Sequence, residues 1–174
     1  GAGYGCEKDL EEYFRGVSLQ VAEKLETQGA VAFSKIYSLG ASRVQFQNKD
    51  PRGWQDFADR LATHSDVGAA MTMRGVQARR PSFYDLEDEL KAMTLPTLVM
   101  VGDEDDHCLQ PGIFLKKTIP ACGLCVLPKT GHTLNLEEPA LFNSFLAEFI
   151  AMAEAGSWAP RDPRAIPGQV MKTD

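Results

Sequence analysis

Two side chains in this sequence combine a useful chemistry with a position from which to use it. Asp105 follows the apolar run Thr97-Leu98-Val99-Met100-Val101 and its terminating Gly102, and His132 follows a second run, Leu124 to Leu127, within the pair Gly131-His132. An imidazole takes up and returns protons near neutral pH, and a carboxylate beside it selects its tautomer and orients the ring. Asp103 and Asp106 compete with Asp105 for that role. Taken singly, Asp105 also reads as a helix cap and His132 as an ordinary loop histidine. Their joint placement after neighbouring strands carries the functional reading. His64, at a predicted helix end, and His107, an exposed neighbour of the acid, have no comparable setting.

The elements that must position this pair are legible. Thr97 to Val101 is short, almost wholly apolar and fenced by Pro96 and Gly102, the pattern of a strand buried on both faces of a parallel sheet. Leu124 to Leu127 repeats it after a crossover containing Ile113, Phe114 and Leu115, which predicts a right-handed β-α-β unit. Ligands of such sheets bind beyond the carboxyl ends of the strands, where Asp105 and His132 fall. Five helices are expected upstream. The first runs from Glu7 to Gln28, with Leu10, Tyr13, Phe14, Val17, Val21 and Leu25 on one side, and ends at Gly29. A short helix over Ala30 to Leu39 stops at Gly40; Asn48 to Pro51 is a turn opening a third, with Trp54, Phe57 and Leu61. Ser65 or Asp66 caps a fourth through Arg79, and Pro81-Ser82 opens a fifth with Leu86, Leu90 and Met93 inward. A last helix beginning near Pro139 carries Leu141, Phe142, Phe145, Leu146, Phe149 and Ile150 on a face suited to the sheet.

Acid, Gly-His pair and surrounding helices together resemble the α/β-hydrolase family, from about Gly1 to about Ala151. In that family the acid commonly falls three residues after a strand-ending glycine, and Gly102 plus three gives Asp105; the histidine follows the last strand, as in Gly131-His132. The order also fits the family's nucleophile, acid, histidine. The resemblance implies an α/β fold, specifically the carboxyl-terminal half of a hydrolase: a helical cap over 1–81, the last part of the core over 82–153, and an irregular tail over 154–174 bearing Pro160, Pro163 and Pro167, with Trp158 as an anchor. It further implies hydrolysis of an ester or carbon-carbon bond of a small-molecule substrate, with Trp54, Phe57, Met71 and Met73 as candidate lining of a pocket beneath the cap. Aromatic and Met residues at helical spacing equally suit plain core. No Gly-x-Ser-x-Gly turn occurs; Ser18 and Ser42 have one neighbouring glycine each and follow no strand. Gly1 to Gly5 resembles the loop leaving the family's sixth strand. The expectation is therefore a chain without its nucleophile, inactive alone, whose Thr97–Val101 edge pairs with a missing amino-terminal half or a second copy. The competing reading is a non-catalytic binding module built on the same fragment.

Composition narrows the rest. With 24 acidic against 18 basic residues the net charge is -6, and no basic face is concentrated enough for nucleic acid. The apolar runs are a handful of residues each, far below the roughly 20 that cross a bilayer, so no membrane association is expected. Four cysteines without dense spacing suit a reducing cytoplasm. Cys122 and Cys125, imagined with Cys108 and His132 as a zinc site, fall three apart where the chain enters the strand predicted from Leu124 onward, in which positions three apart point to opposite faces. No metal and no cofactor is expected.

Overall fold

The computed structural model describes residues 8–165. The expectation for Gly1 to Gly5, and the tail from residue 166 with its Pro167, lie outside the described residues. A helical layer comes first. α1 (Lys8–Tyr37) is one hydrogen-bonded element interrupted at Gly29, whose φ of 79° and ψ of 169° lie in a region that only glycine occupies freely. The two expected helices are thus present, joined without a loop. The break frees the N–H of Ala30, and Asp66 from a later helix accepts it at 2.6 Å. Around the break Ala22, Leu25, Ala30, Phe33 and Ala70 are buried, with Val21, Leu61, Ala69 and Met73 packed against them.

After a 3-10 turn at Ala41–Arg43, α2 (Val44–Lys49) and α3 (Pro51–Leu61) are separated by Asp50 alone. The expected turn at Asn48 to Pro51 is therefore tighter than the sequence predicts. Asp50 caps α3 by accepting from Gly53 N, and Pro51 at the first helical position needs no donor. α4 (Asp66–Thr72) is capped by Ser65 and stops short of the expected Arg79. Its continuation, Met73–Gln77, widens into a π-turn closed by Ala78 N donating to Met73 O; Gly75 at its centre is a weak helix former. The capping box formed by Ser82 and Asp85 opens a 3-10 turn, Phe83–Leu86, leading into α5 (Glu87–Lys91).

β1 (Thr97–Gly102) and β2 (Cys122–Leu127) pair in parallel, Thr97 with Cys122 through Gly102 with Leu127. The crossover is α6 (Asp106–Thr118), and Gly112 lets it settle on Val99, Val101 and Leu124: an added Cβ would lie 3.3 Å from Val101 Cγ1. A second core, Leu90, Ile119 and Cys122, forms beneath α5 and α6. β2 starts two residues before the expected Leu124, so Cys122 and Cys125 both stand on the strand and diverge. The expectation of strands buried on both faces holds for Val101 and Gly102 of β1 and for Cys122 and Leu127 of β2; Thr97 to Met100 are half-buried and Val126 is exposed. On the face away from α6, Trp158 lies against Gly123 and donates Nε1–H to Ala121 O at 2.9 Å.

α7 (Leu134–Glu137) and α8 (Pro139–Glu154) end the order. α8 was expected to press its apolar face on the sheet, yet Leu141, Phe145 and Ile150 are 44%, 39% and 44% exposed, and no residue of α8 is buried. Among the described residues Phe149 meets an aromatic partner, Trp158, edge to face at 4.9 Å. No helix among the described residues is long and apolar enough to cross a membrane.

The break in α1 gives a test of this packing. Gly29→Ala places a Cβ 3.2 Å from the Asp66 carboxylate and forces a side chain into a glycine-only backbone region, so urea denaturation should show a loss of about 1–3 kcal/mol.

Candidate active site

β1 and β2 end side by side, and their outgoing loops touch backbone to backbone. A Cβ on Gly102 would fall 2.1 Å from Thr130 O and 2.3 Å from Gly131 O, so only glycine permits the approach. Asp103 N donates to Leu127 O and Glu104 N to Thr130 O, while the Asp103 carboxylate accepts from Thr130 N at 3.1 Å. That backbone hydrogen bond holds the Asp103 carboxyl below its ordinary range. Asp103 is thereby occupied in joining the loops, and Asp106 is exposed in the first turn of α6.

Asp105 is the carboxylate on the histidine: its Oδ2 lies 2.7 Å from His132 Nδ1. Asp105 is 7% exposed, whereas the His132 side chain keeps 31% of its surface and borders a cavity. Burial alone would raise the Asp105 carboxyl, but hydrogen bonds with His132 and with the Cys108 thiol, together with the nearby histidines, hold it below the ordinary carboxylate range. The acid is thus kept as an acceptor, which leaves the proton on Nδ1 and the basic lone pair on Nε2. Cys108, one turn into α6, also brings its Sγ within 3.8 Å of His132 Nδ1.

A residue that the sequence did not single out fixes the ring's backbone. Glu137, 6% exposed at the end of α7, accepts from Gly131 N at 2.6 Å, Thr133 N at 3.0 Å and Thr133 Oγ1 at 2.8 Å, so one carboxylate grips the chain on both sides of His132. His132 N itself donates to Ser42 O at 3.4 Å, tying the loop to the turn before α2. The signal was its spacing, an acid five residues after the histidine on a one-turn helix, but before Pro139 it reads as a helix start.

The cavity beside His132 measures about 710 Å³ and is walled mainly by α1 and α4, with Phe14, Val17, Val21, Phe33 and Met73 supplying much of the apolar surface. Of the four expected lining residues, Met73 shares this wall. Met71 points away and is 67% exposed, because one face of α4 cannot carry both 70 and 71 inward. Trp54 and Phe57 face other grooves: Trp54 Nε1 donates to Ser38 O at 2.7 Å, and Phe57 packs on Phe46 and under the Arg43 guanidinium. Ser18 lies on the cavity wall but is 2% exposed and donates to Phe14 O, its own helix. His64 also borders the cavity, and the His107 ring stands edge-on to Phe14 at 5.0 Å.

No family model matches the chain. Over 88 residues it is 26% identical to a protein of Bacillus subtilis (strain 168) provisionally named 2-succinyl-6-hydroxy-2,4-cyclohexadiene-1-carboxylate synthase, covering 50% of this chain and 31% of that one. Among solved structures it is similar to MenH from S. aureus, with a TM-score of 0.77 and 19% identity over 85% of this chain and 55% of that chain. A thermophilic esterase from Thermogutta terrifontis superposes with a TM-score of 0.65 and 24% identity over 84% and 52%. The chain therefore spans about half the length of these structures, and less of the curated relative. Its fold is that of the carboxyl-terminal half of an α/β-hydrolase, a helical region followed by a β-α-β-α unit with parallel strands.

The grip of Glu137 on the histidine loop is open to measurement. Glu137→Gln turns one accepting oxygen into a donor facing an N–H, and should cost about 1–3 kcal/mol in urea denaturation while broadening the His132 ring signals in NMR.

Proposed function

We propose that this chain contributes the acid and the general base of an α/β-hydrolase that cleaves an ester or carbon-carbon bond of a small molecule. The observation that carries the reading is the 2.7 Å contact between Asp105 Oδ2 and His132 Nδ1, at the wall of an apolar cavity. In this reading Asp105 accepts the Nδ1 proton, and Nε2 takes the proton of a nucleophile as it attacks the carbonyl carbon. His132 then returns that proton to the leaving group, and a second round with water frees the enzyme. The imidazolium formed between these steps is stabilised by the acid behind it. Helices α1 to α4 form the cap, and the apolar wall from Phe14 to Met73 takes the substrate's hydrocarbon part.

The nucleophile and the oxyanion donors belong to a part of the fold this chain does not contain. Two features support that assignment: the chain matches just over half of its structural neighbours, and the edge of β1 away from β2 has no strand beside it among the described residues. The uncovered apolar residues of α8 fit the same picture. An amino-terminal half, or failing that a second copy, would pair along Thr97 to Val101, and the chain alone would not turn over. The cytoplasm, where free thiols stay reduced, is the setting this reading favours.

The test needs the protein joined to its nucleophile-bearing half. There His132→Ala should lower kcat by at least about 100-fold with the melting temperature unchanged, and Asp105→Asn should lower it by a comparable factor. Wild-type turnover by either variant would remove the general-base assignment.

A further inference from the structure

We propose that Asp105, Cys108 and His132 also form a binding site for a soft divalent transition cation such as Zn2+. One ligand atom from each, a carboxylate oxygen, a thiol sulfur and a ring nitrogen, lie within 4.8 Å of one another. Asp105 and Cys108 are buried, and His132, with 31% of its side chain exposed, borders the cavity. The donors are arranged by the fold. Asp105 and Cys108 sit three residues apart at the start of α6, locked by Cys108 N donating to Asp105 O at 2.8 Å, and His132 arrives from the loop after β2.

Thiolate, imidazole and carboxylate are the three ligand types zinc uses, and three protein ligands with one open position make a tetrahedral site. Bonds of about 2.0–2.3 Å at tetrahedral angles put nitrogen and oxygen ligands about 3.3 Å apart and nitrogen and sulfur about 3.6 Å apart. The structure has Cys108 Sγ already 3.8 Å from His132 Nδ1. Nδ1 and Asp105 Oδ2, at 2.7 Å, must separate by roughly 0.6 Å to admit the ion. The Sγ–Nδ1 separation needs almost no change, and side-chain rotation of Asp105 and Cys108 supplies the rest. Binding replaces two protons, that of the Cys108 thiol and that on His132 Nδ1; both leave to solvent and nothing is oxidised. With Nδ1 on the metal and Asp105 beside it, the ring can no longer pass a proton backed by its acid. Metal loading and general-base function therefore exclude each other. That consequence rests on the hydrolase reading, whereas binding itself does not.

Cobalt(II), which takes zinc sites and reports thiolate ligation by a charge-transfer absorption in the near ultraviolet, tests the site in the 174-residue chain. The unmodified chain should show the band and lose it on adding one equivalent of Zn2+. Cys108→Ser should abolish the band, and both it and His132→Gln should weaken zinc binding, measured against a chromogenic chelator, by at least about 10–100-fold. A Cys122→Ser/Cys125→Ser double variant should keep band and affinity, since those thiols diverge on β2. Circular dichroism checks each variant's fold, and His132→Gln decides if Cys108→Ser proves unfolded. No band in the unmodified chain, a band that survives Cys108→Ser, or one lost with Cys122 and Cys125 would overturn the site. In the complete enzyme, zinc bound without inhibition would leave the site standing and count against the catalytic reading instead.

Discussion

Glu137 is a buried acid with three hydrogen bonds to the residues flanking His132, and much of the candidate site depends on it. A carboxylate taken out of water costs several kcal/mol unless donors replace the solvent. Here two backbone N–H groups and a hydroxyl do so, each charge-assisted bond contributing about 1.5–3 kcal/mol. The balance favours one loop conformation, and that conformation aims the imidazole at Asp105. The neighbouring glycine, Gly102, permits the second constraint: with no Cβ, β1 can press against the carbonyls of Thr130 and Gly131. Asp105 and His132 come from loops separated by 27 residues in sequence, yet the backbones of those loops share hydrogen bonds, so neither can shift without the other.

The parts of this arrangement that were legible in the sequence are those governed by local rules. Thr97 to Val101 reads as a strand because it is apolar and fenced, and the site pair reads as a pair because each follows such a run. The helix end at Gly29 is likewise a single-residue signal, and the cap of α4 is legible as Ser65 or Asp66, whereas Asp50 and Ser82 read only as helix openings and the structure shows them to be caps. What escaped notice depends on distance in space. The spacing of Glu137 reads as a helix start, not as a carboxylate that folds back to Thr133 and Gly131, four and six residues earlier, and the pattern around Cys108 pairs it with the other cysteines rather than with an acid three positions away. Trp54 and Phe57 illustrate the same limit: their size suits a pocket, but a carbonyl of Ser38 and the guanidinium of Arg43 occupy them instead. Arg43, 5% exposed, rests between Tyr37 and Phe57 and bonds to the Tyr37 hydroxyl, an environment that only the folded helical layer supplies.

α8 is the clearest divergence between pattern and packing. Its apolar line is as regular as that of α1, and the periodicity is a sound guide to which face is apolar, but not to whether anything lies against it. Leu141, Phe145 and Ile150 stand exposed, and Thr97 to Met100 are only half-buried by the described elements.

The interruption at Gly29 divides the cavity wall into two rods: Val17, Val21 and Leu25 stand on one, Ala30, Phe33 and Tyr37 on the other. The angle between the rods is held by a single pair of backbone torsions and by the Asp66 carboxylate bridging to Ala30 N. Cavity width is consequently separable from cavity chemistry. A change at position 29 or 66 would open or narrow the space beside His132 like a pair of calipers while every lining side chain stayed the same, so the size of what that space admits can be reset from residues that do not line it.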